Sequence, residues 1–197
     1  MADMTGSRRQ SLTEKAQAKI AKVLSYGDYA VDATVGNGND TFFLADHVGP
    51  EGAVVGFDIQ ELALHRATAV LGEAQLLQRV KLVQKSHHRM AEFVPDDWHG
   101  KIKAIMFNLG YLPRGDKSVI TQADTTILAL EASIKILAVG GRMTVVAYTG
   151  HDGGQEETNA IREWLRPLTI SHYDVEMIPA EVQTSGSPEL YVITRTD

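Results

Sequence analysis

Short apolar runs alternate with segments of helical periodicity along most of the chain. Bounded by glycine or polar residues, the runs predict buried strands. In chain order these cover 29–31, 53–57, 80–83, 102–107 and 143–148. The predicted helices that follow them cover 40–48, 61–77, 120–138 and 155–165, and the one over 61–77 is expected to face Leu62, Ala69 and Leu76 inward. Because parallel strands need long crossovers, this alternation predicts a doubly wound sheet with helices on both faces.

The last part of the chain departs from this alternation. Strands are predicted over 169–178 and 189–194, joined by the turn-rich segment 184–188 with no long helix between them. A short connection implies a hairpin, so the last strand should run antiparallel to the others. The predicted fold class is therefore α/β, with a mostly parallel seven-stranded Rossmann-like sheet. This is the layout of a class I methyltransferase rather than of a dehydrogenase.

The beginning of the chain predicts a flexible leader over residues 1–10 and then a capped helix. Ser11 followed by Glu14 is the pattern of a capping box. Ala16, Ile20, Val23 and Leu24 form an apolar stripe, while the opposite side is basic and includes Lys15, Lys19 and Lys22, with Arg8 and Arg9 before it. A solvated helix face is the favoured interpretation of these cations, and an RNA-contacting face is the alternative.

Composition limits the class of protein. The chain has 197 residues, 44% hydrophobic and 22% charged, which predicts one globular domain over 11–197. It has no cysteine, so disulfides and thiolate metal sites are excluded. No apolar run approaches the roughly 20 residues that span a bilayer, and a cytoplasmic protein is predicted. The net charge of −6 argues against non-specific coating of nucleic acid but not against a local basic patch.

The glycine turn after the first strand is the leading candidate for a ligand site. Gly36 and Gly38 follow Asp32 and precede a helix that opens at Asn39 or Asp40. A dinucleotide would place its pyrophosphate over this turn, where the carboxylate of Asp32 would repel it. S-adenosylmethionine would place a positively charged ammonium and sulfonium there. Because the carboxylate of Asp32 would attract these groups, S-adenosylmethionine is the favoured ligand. A turn that binds no ligand is the third interpretation.

Further polar residues follow the second and third strands. Asp58 ends the second strand, where an acid would reach a pair of ribose hydroxyls. Ser86 follows the third strand and is a candidate contact beside an adenine. His87 and His88 do not predict a metal site, because adjacent side chains point apart and no acid is in register.

Asn108 to Tyr111 follow the fourth strand and suggest an amine substrate. The side chain of Asn108 and the carbonyl of Leu109 offer two neighbouring acceptors for the N–H bonds of an amine, and Tyr111 can stack on a flat base. The arrangement is similar to the Asn-Pro-Pro-Tyr signature of amino methyltransferases, with Leu-Gly in place of Pro-Pro. The alternative is that Asn108 is only a turn residue.

Candidates for proton transfer and RNA contact lie close by in this arrangement. Tyr148 and His151 follow the fifth strand and could line the same pocket. A neutral imidazole could accept a proton from an ammonium substrate, or His151 could only position the substrate. Arg114 and Lys117, in the loop after Tyr111, would suit the phosphates of a nucleotide presented there.

Several of these segments together resemble one family. They are Val31–Thr34 with Gly36-Asn37-Gly38, Phe57–Gln60, Lys85–His87, the block Phe107–Pro113 with Gly115–Lys117, and Tyr148 with Gly150-His151. The chain resembles the small bacterial methyltransferases labelled rRNA methylases, and in particular those that act on 5-aminomethyl-2-thiouridine in tRNA. The resemblance implies methyl transfer from S-adenosylmethionine to the exocyclic amine of that wobble uridine, giving 5-methylaminomethyl-2-thiouridine. The older family label would make the target ribosomal RNA.

The resemblance also implies a set of site residues. The cofactor contacts it implies are Asp32, Gly36, Asn37, Gly38, Asn39, Asp40, Asp58, Ile59, Gln60, Ser86, His87 and Asn108. The expected partner is a tRNA anticodon stem-loop, and a homodimer would enlarge the surface of so small a domain. A nicotinamide-dependent oxidoreductase, a non-catalytic nucleotide-binding module and a small-molecule N-methyltransferase are the alternatives.

Overall fold

The computed structural model describes residues 9–116, 118–168, 172–182, 184 and 186–197. Within them the strands are β1 (Tyr29–Asp32), β2 (Ala53–Asp58), β3 (Val80–Gln84), β4 (Ile102–Asn108), β5 (Leu137–Ala147), β6 (Tyr173–Pro179) and β7 (Glu189–Arg195). The α-helices are α1 (Leu12–Ile20), α2 (Asn39–Val48), α3 (Glu61–Glu73), α4 (Met90–Phe93), α5 (Ala123–Ile136) and α6 (Gly154–Leu165).

The strands of the described chain form one seven-stranded sheet in the order β3-β2-β1-β4-β5-β7-β6. The pairs β1–β2, β2–β3, β1–β4 and β4–β5 are parallel, whereas β7 is antiparallel to both β5 and β6. The predicted fold class and the antiparallel last strand are confirmed. The strand order reverses between β1 and β4, and such a switch point opens a crevice at the carboxyl ends of the strands.

Helices cover both faces of the sheet. On one face, α1, α2 and α3 bury residues such as Ile20, Leu44 and Leu71 against the sheet. On the other, α4, α5 and α6 bury residues such as Leu130 and Ile161. No helix in the described part of the chain combines the length and the apolarity needed to cross a bilayer.

The first helix begins with the predicted capping box. The Glu14 N–H donates to Ser11 Oγ at 3.1 Å, and the Ser11 N–H donates to Glu14 Oε2 at 2.7 Å. Two of the cations on its outer side have carboxylate partners: Lys15 Nζ lies 3.0 Å from Glu181 Oε1, and Lys19 Nζ lies 2.8 Å from Glu176 Oε1. These two lysines are thus engaged within the protein, which is evidence against an RNA contact through them. Residues 1–8 of the predicted leader lie outside the described residues.

Helix α3 differs from its prediction in length and in orientation. It ends at Glu73, and it turns Ala63, Ala67 and Leu71 inward while Leu62 and Ala69 are exposed. Leu76 is buried as predicted, but it lies beyond the end of the helix. Close packing on the glycine turn accounts for Ala67: a Cβ at Gly38 would lie 2.9 Å from the Ala67 Cα. Only a small side chain fits at position 67, whereas Leu71, one turn further along, is buried in the same core.

The fifth strand begins earlier than predicted. Strand β5 starts at Leu137 rather than at 143, and α5 ends at Ile136. The early segment contains an irregularity, since the partners of Ile102 and Ala104 on β5 are Leu137 and Arg142. Extra residues therefore bulge out of the strand before the regular pairing begins. The bulge interrupts the alternation of apolar and polar residues, so the start of the strand could not be predicted from that alternation.

Candidate active site

The carboxyl ends of β1 to β5 open onto one cavity of about 580 Å³. Its wall includes most of the predicted site residues, namely Gly36, Asn37, Asn39, Asp40, Asp58, Ile59, Gln60, Ser86, His87, Asn108, Tyr111, Tyr148 and His151. Asp32, Gly38 and Arg114 are not part of the wall, and Lys117 lies outside the described residues. The wall also contains residues that were not predicted as site residues, among them Thr34, Leu112, Thr121, Thr125 and Gly186.

The glycine turn is shaped by steric needs as well as by its place in the cavity. Gly36 and Gly38 have φ angles of +52° and +84°, in the region that favours glycine. Gly38 also forms the close contact with α3, so its lack of a side chain serves packing. Gly36 faces the cavity and donates its N–H to Asp58 Oδ2 at 2.9 Å, which ties the turn to the end of β2.

Asp32 lies beneath the turn and is fully buried. Its Oδ1 accepts the Thr34 N–H at 3.0 Å, and its Oδ2 accepts the Thr41 hydroxyl at 2.5 Å. Burial, together with the nearby charge of Asp40, raises the pKa of Asp32 to about 7. Burial also raises the pKa of Asp40, whose Oδ1 accepts a hydrogen bond from Gln17 Nε2 at 2.7 Å. Asp32 thus organises the turn from below, while Asp40 brings an acidic group to the cavity itself.

Asp58 presents a carboxylate to the cavity at the end of β2. Its oxygens accept the N–H groups of Gly36 and Gln60, each at 2.9 Å. Burial raises the pKa of this carboxyl, and hydrogen bonds from Gln60, Gly36 and Ile59 counteract part of the rise. A carboxylate has about four acceptor positions, so these backbone bonds leave room for a ligand hydroxyl.

The segment after β3 holds a buried, neutral imidazole. Burial and the neighbouring His88 lower the pKa of His87 to about 4, while a hydrogen bond to the backbone of Ala33 acts in the opposite direction. His87 Nε2 is buried and has no partner among the described residues. Ser86 Oγ lies 2.9 Å from His88 Nδ1. Nowhere in the described ranges do three His, Asp or Glu side chains form a group that could hold a metal ion.

The loop after β4 is fixed to two neighbouring strands. The Asn108 N–H donates to Thr34 Oγ1 at 2.7 Å, and the Leu109 N–H donates to the Val146 carbonyl at 2.8 Å. Gly110 has a φ angle of +131°, so glycine is favoured there. The next residue, Tyr111, is 42% exposed, and its ring meets that of His151 edge to face with centroids 6.0 Å apart. Asn108 and Tyr111 are thereby brought to the same part of the wall as His151.

The tautomer of His151 follows from its hydrogen bond. Its Nδ1 lies 2.9 Å from the Asp152 carbonyl, and because a carbonyl can only accept, Nδ1 carries the proton in the neutral ring. The lone pair is then on Nε2, which is buried without a partner among the described residues. The ring packs closely against Gly154, where a Cβ would lie 3.0 Å from Nε2. The unprotonated nitrogen therefore lies between Gly154 and Gly110, the second of which belongs to the cavity wall.

Arg66 is a structural link that sequence reasoning missed. Its Nη1 donates to Asn37 Oδ1 and to the Pro113 carbonyl, both at 3.0 Å, and its Nη2 donates to the Arg114 carbonyl at 3.2 Å. One guanidinium on α3 thus joins the glycine turn to the loop after β4. Arg114 itself has a φ angle of +59°, and its exposed side chain lies outside the wall, next to Pro113 at the rim.

Comparison with known proteins gives the family. Residues 54–194 match the family described as "Putative rRNA methylase". The chain belongs to this family. It is also 39% identical over 173 residues to the chloroplastic tRNA (mnm(5)s(2)U34)-methyltransferase of Arabidopsis thaliana. That alignment covers 84% of this chain but 62% of the relative, so the chain spans less than two thirds of the length of that protein.

Solved structures of similar proteins agree with this assignment. A protein of the same description from Clostridium thermocellum is 39% identical, with a TM-score of 0.89 over 96% of this chain and 99% of the other. A methyltransferase from Streptococcus mutans, solved in complex with SAH, is 31% identical, with a TM-score of 0.83 over 95% of this chain and 99% of the other. The resemblance inferred from the motifs is confirmed.

Proposed function

We propose that this methyltransferase transfers a methyl group from S-adenosylmethionine to the exocyclic amine of 5-aminomethyl-2-thiouridine at the wobble position of tRNA. The cofactor follows from the family and from its SAH-bound relative in Streptococcus mutans. The substrate is supported by the name of the Arabidopsis relative and by the amine acceptors of this site.

The observation that carries the proposal is the pairing of two kinds of acceptor in one cavity. Asp58 at the end of β2 suits the two hydroxyls of a ribose, and Asp40 suits a cationic amino acid portion. Asn108 at the end of β4 is uncharged and suits an amine. Because β1 lies between β2 and β4, a cofactor lying over the glycine turn would bring its methyl group towards Asn108.

The bound cofactor supplies an electrophilic methyl group on a positively charged sulfur. The protein must hold a neutral amine in line with it. In this proposal Asn108 Oδ1 and the Leu109 carbonyl accept the two N–H bonds, which directs the nitrogen lone pair towards the methyl group. His151 Nε2 accepts the proton that an ammonium substrate must lose before it reacts. The nitrogen forms one bond to carbon as the carbon–sulfur bond breaks, and SAH leaves.

The rim of the cavity suits a nucleotide. Tyr111 and Tyr148 are both partly exposed there and offer ring faces on which a base can stack. Lys85 belongs to the wall, and Arg114 follows the wall residue Pro113. Both are exposed cations that suit phosphates. A small amine would not need these rim cations, so we favour an RNA substrate over a free small molecule.

The test is methylation of purified RNA. The protein is incubated with S-adenosylmethionine carrying a labelled methyl group and with tRNA bearing 5-aminomethyl-2-thiouridine, and nucleosides are analysed by mass spectrometry. We expect labelled 5-methylaminomethyl-2-thiouridine, and no label in tRNA with unmodified uridine at that position. Ribosomal RNA is supplied in a parallel reaction, and label appearing only there would refute the tRNA assignment. Binding of NADH that SAH does not displace would refute the cofactor assignment.

A further inference from the structure

Glu157 is a buried carboxyl group that no step above uses. It lies in the first turns of α6 and is 2% exposed. Its Oε1 accepts the Thr126 hydroxyl at 2.6 Å, and its Oε2 accepts the Thr121 hydroxyl at 2.7 Å. Within the described chain no Lys, Arg or His forms an ion pair with it. Burying a carboxyl group with only neutral partners is costly, so its hydrogen bonds should have a use beyond stability.

One of those bonds continues into the loop after β4. Thr121 Oγ1 also accepts the Gly110 N–H at 2.9 Å, and the Thr121 N–H donates to the Gly110 carbonyl at 3.0 Å. A hydroxyl has a single proton. Because Thr121 donates that proton to Glu157, its lone pairs are available to Gly110. The carboxyl group therefore sets the direction in which Thr121 holds the loop.

The Gly110 N–H shares its peptide unit with the Leu109 carbonyl. The described chain contains no cis peptide bond, so the two groups point in opposite directions within one plane. Whatever fixes the N–H of Gly110 also fixes the carbonyl of Leu109. Gly110 cannot rely on a side chain of its own to restrict this unit, and its backbone is the most permissive of any residue.

The same carboxyl group is tied to the segment that carries His151. Helix α6 begins at Gly154, whose N–H donates to the His151 carbonyl at 3.0 Å. Glu157 lies in the next turn of the same helix, where its backbone N–H donates to the Gly153 carbonyl at 2.9 Å. One side chain thus connects the helix beside His151 to the peptide unit between Leu109 and Gly110.

We propose that Glu157, acting through Thr121, is a positioning residue that orients the Leu109 carbonyl as an acceptor for the substrate amine and keeps it in register with His151. This inference rests on the proposed function. Neither residue touches the reacting atoms in this account, and the effect of their loss should be on turnover rather than on cofactor binding.

The two threonines provide a matched pair of variants. Thr121→Val removes the hydroxyl that serves both Glu157 and Gly110, whereas Thr126→Val removes the other bond to Glu157 and leaves Gly110 untouched. Thr126 is fully buried in α5 and is not part of the cavity wall. We expect Thr121→Val to lower kcat about a hundredfold, the scale of a misplacement near 1 Å, with KM and SAH affinity little changed. Thr126→Val should keep the kcat of the wild type, and Thr121→Ser should restore most of it.

Equal losses of kcat in both valine variants, or failure of the serine variant to restore activity, would overturn the proposal and leave Thr121 a structural residue. Hydrogen exchange of the Gly110 amide in the SAH complex gives a second readout. It should be faster in Thr121→Val and unchanged in Thr126→Val, and equal exchange rates in the two would likewise overturn the proposal. If the wild-type protein does not methylate the tRNA, the proposed function fails, while the Gly110 exchange rates still decide whether this contact holds the loop.

Discussion

The sharpest test of the cofactor position is the replacement Asp58→Asn. The side chain keeps its shape but loses its charge and one of its two acceptor oxygens. In the proposed complex the carboxylate accepts hydrogen bonds from the ribose hydroxyls, and hydrogen bonds to a charged group contribute about 1.5–3 kcal/mol each. Loss of one such bond corresponds to an increase in Kd of about 10-fold to 150-fold, at 1.4 kcal/mol per factor of ten.

The replacement also affects the protein without ligand. Gly36 and Gln60 each donate an N–H to this side chain, and an asparagine can accept only one of them through its single oxygen. We therefore expect a loss of about 1–3 kcal/mol in the free energy of unfolding, the cost of one unsatisfied N–H group. Urea denaturation measures this loss separately from ligand affinity.

Isothermal titration calorimetry with SAH is the assay, at a temperature well below the unfolding transition of the variant. Asp46→Asn is the matched control, since Asp46 is an exposed acid of α2 outside the cavity. The wild-type affinity should also fall as the pH is lowered through the pKa of Asp58, which burial raises, because the protonated acid is a weaker acceptor. Equal affinities of Asp58→Asn and Asp46→Asn for SAH would refute the placement of the ribose at the end of β2.

Further predictions concern the other parts of the site. Asn108→Ala should lower kcat about a hundredfold or more while SAH affinity by calorimetry stays the same; a large loss of affinity would instead make Asn108 a cofactor contact. Arg66→Ala should release the loop at 113–114 from Asn37, and the Gly115 amide, which donates to the Leu112 carbonyl in that loop, should exchange faster while KM for tRNA rises; unchanged exchange would contradict the link. Arg114→Glu should weaken tRNA binding and reduce the slope of log K against log salt by about one, and an unchanged slope would place the phosphates elsewhere. Asp32→Asn should flatten the pH dependence of stability. In the wild type the pKa of Asp32 is about 7 in the folded protein and 3.8 ordinarily, so the free energy of unfolding falls as the pH rises between these values. The contribution of this group is at most about 1.4 kcal/mol per pH unit. Urea denaturation across that range tests this, and equal slopes in both proteins would contradict it.

The sheet and the residues at its strand ends could be predicted because their signals are local. An apolar run followed by a polar residue, such as the one that ends at Asp58, is visible within a few positions of the sequence. Parallel strands then bring these ends to one edge regardless of the details of packing. The cavity therefore contains Asp58, Ser86, Asn108 and His151 together, as predicted.

The residues that support the site could not be predicted in the same way. Glu157 is 36 positions from Thr121 in the sequence, and their contact depends on how α6 packs against α5. An acid in the first turns of a helix is common for electrostatic reasons alone, so Glu157 carries no distinctive signal. Arg66 is likewise one cation on a helix, and its partners lie 29 and 47 positions away.

The orientation of α3 shows where hydrophobicity fails as a guide. Leu62 is the larger apolar side chain, but it is exposed, while Ala67 is buried against Gly38, where there is no space for a larger side chain. The requirement for small residues comes from the approach of the Gly38 backbone. This is a property of the folded contact and not of the helix alone.

The distribution of charge around the cavity gives an argument about the cofactor that does not depend on the family. Asp40 and Asp58 belong to the wall, and Asp32 lies directly beneath it. The pKa values of all three are raised, chiefly by burial, which means that their surroundings in the protein disfavour their charged forms. A pyrophosphate would add repulsion to these carboxyl groups, whereas a cationic cofactor would stabilise their ionised forms. Binding of such a cofactor should therefore release protons, which calorimetry in buffers of different ionisation enthalpy can measure, and the uptake of protons would instead indicate an anionic ligand.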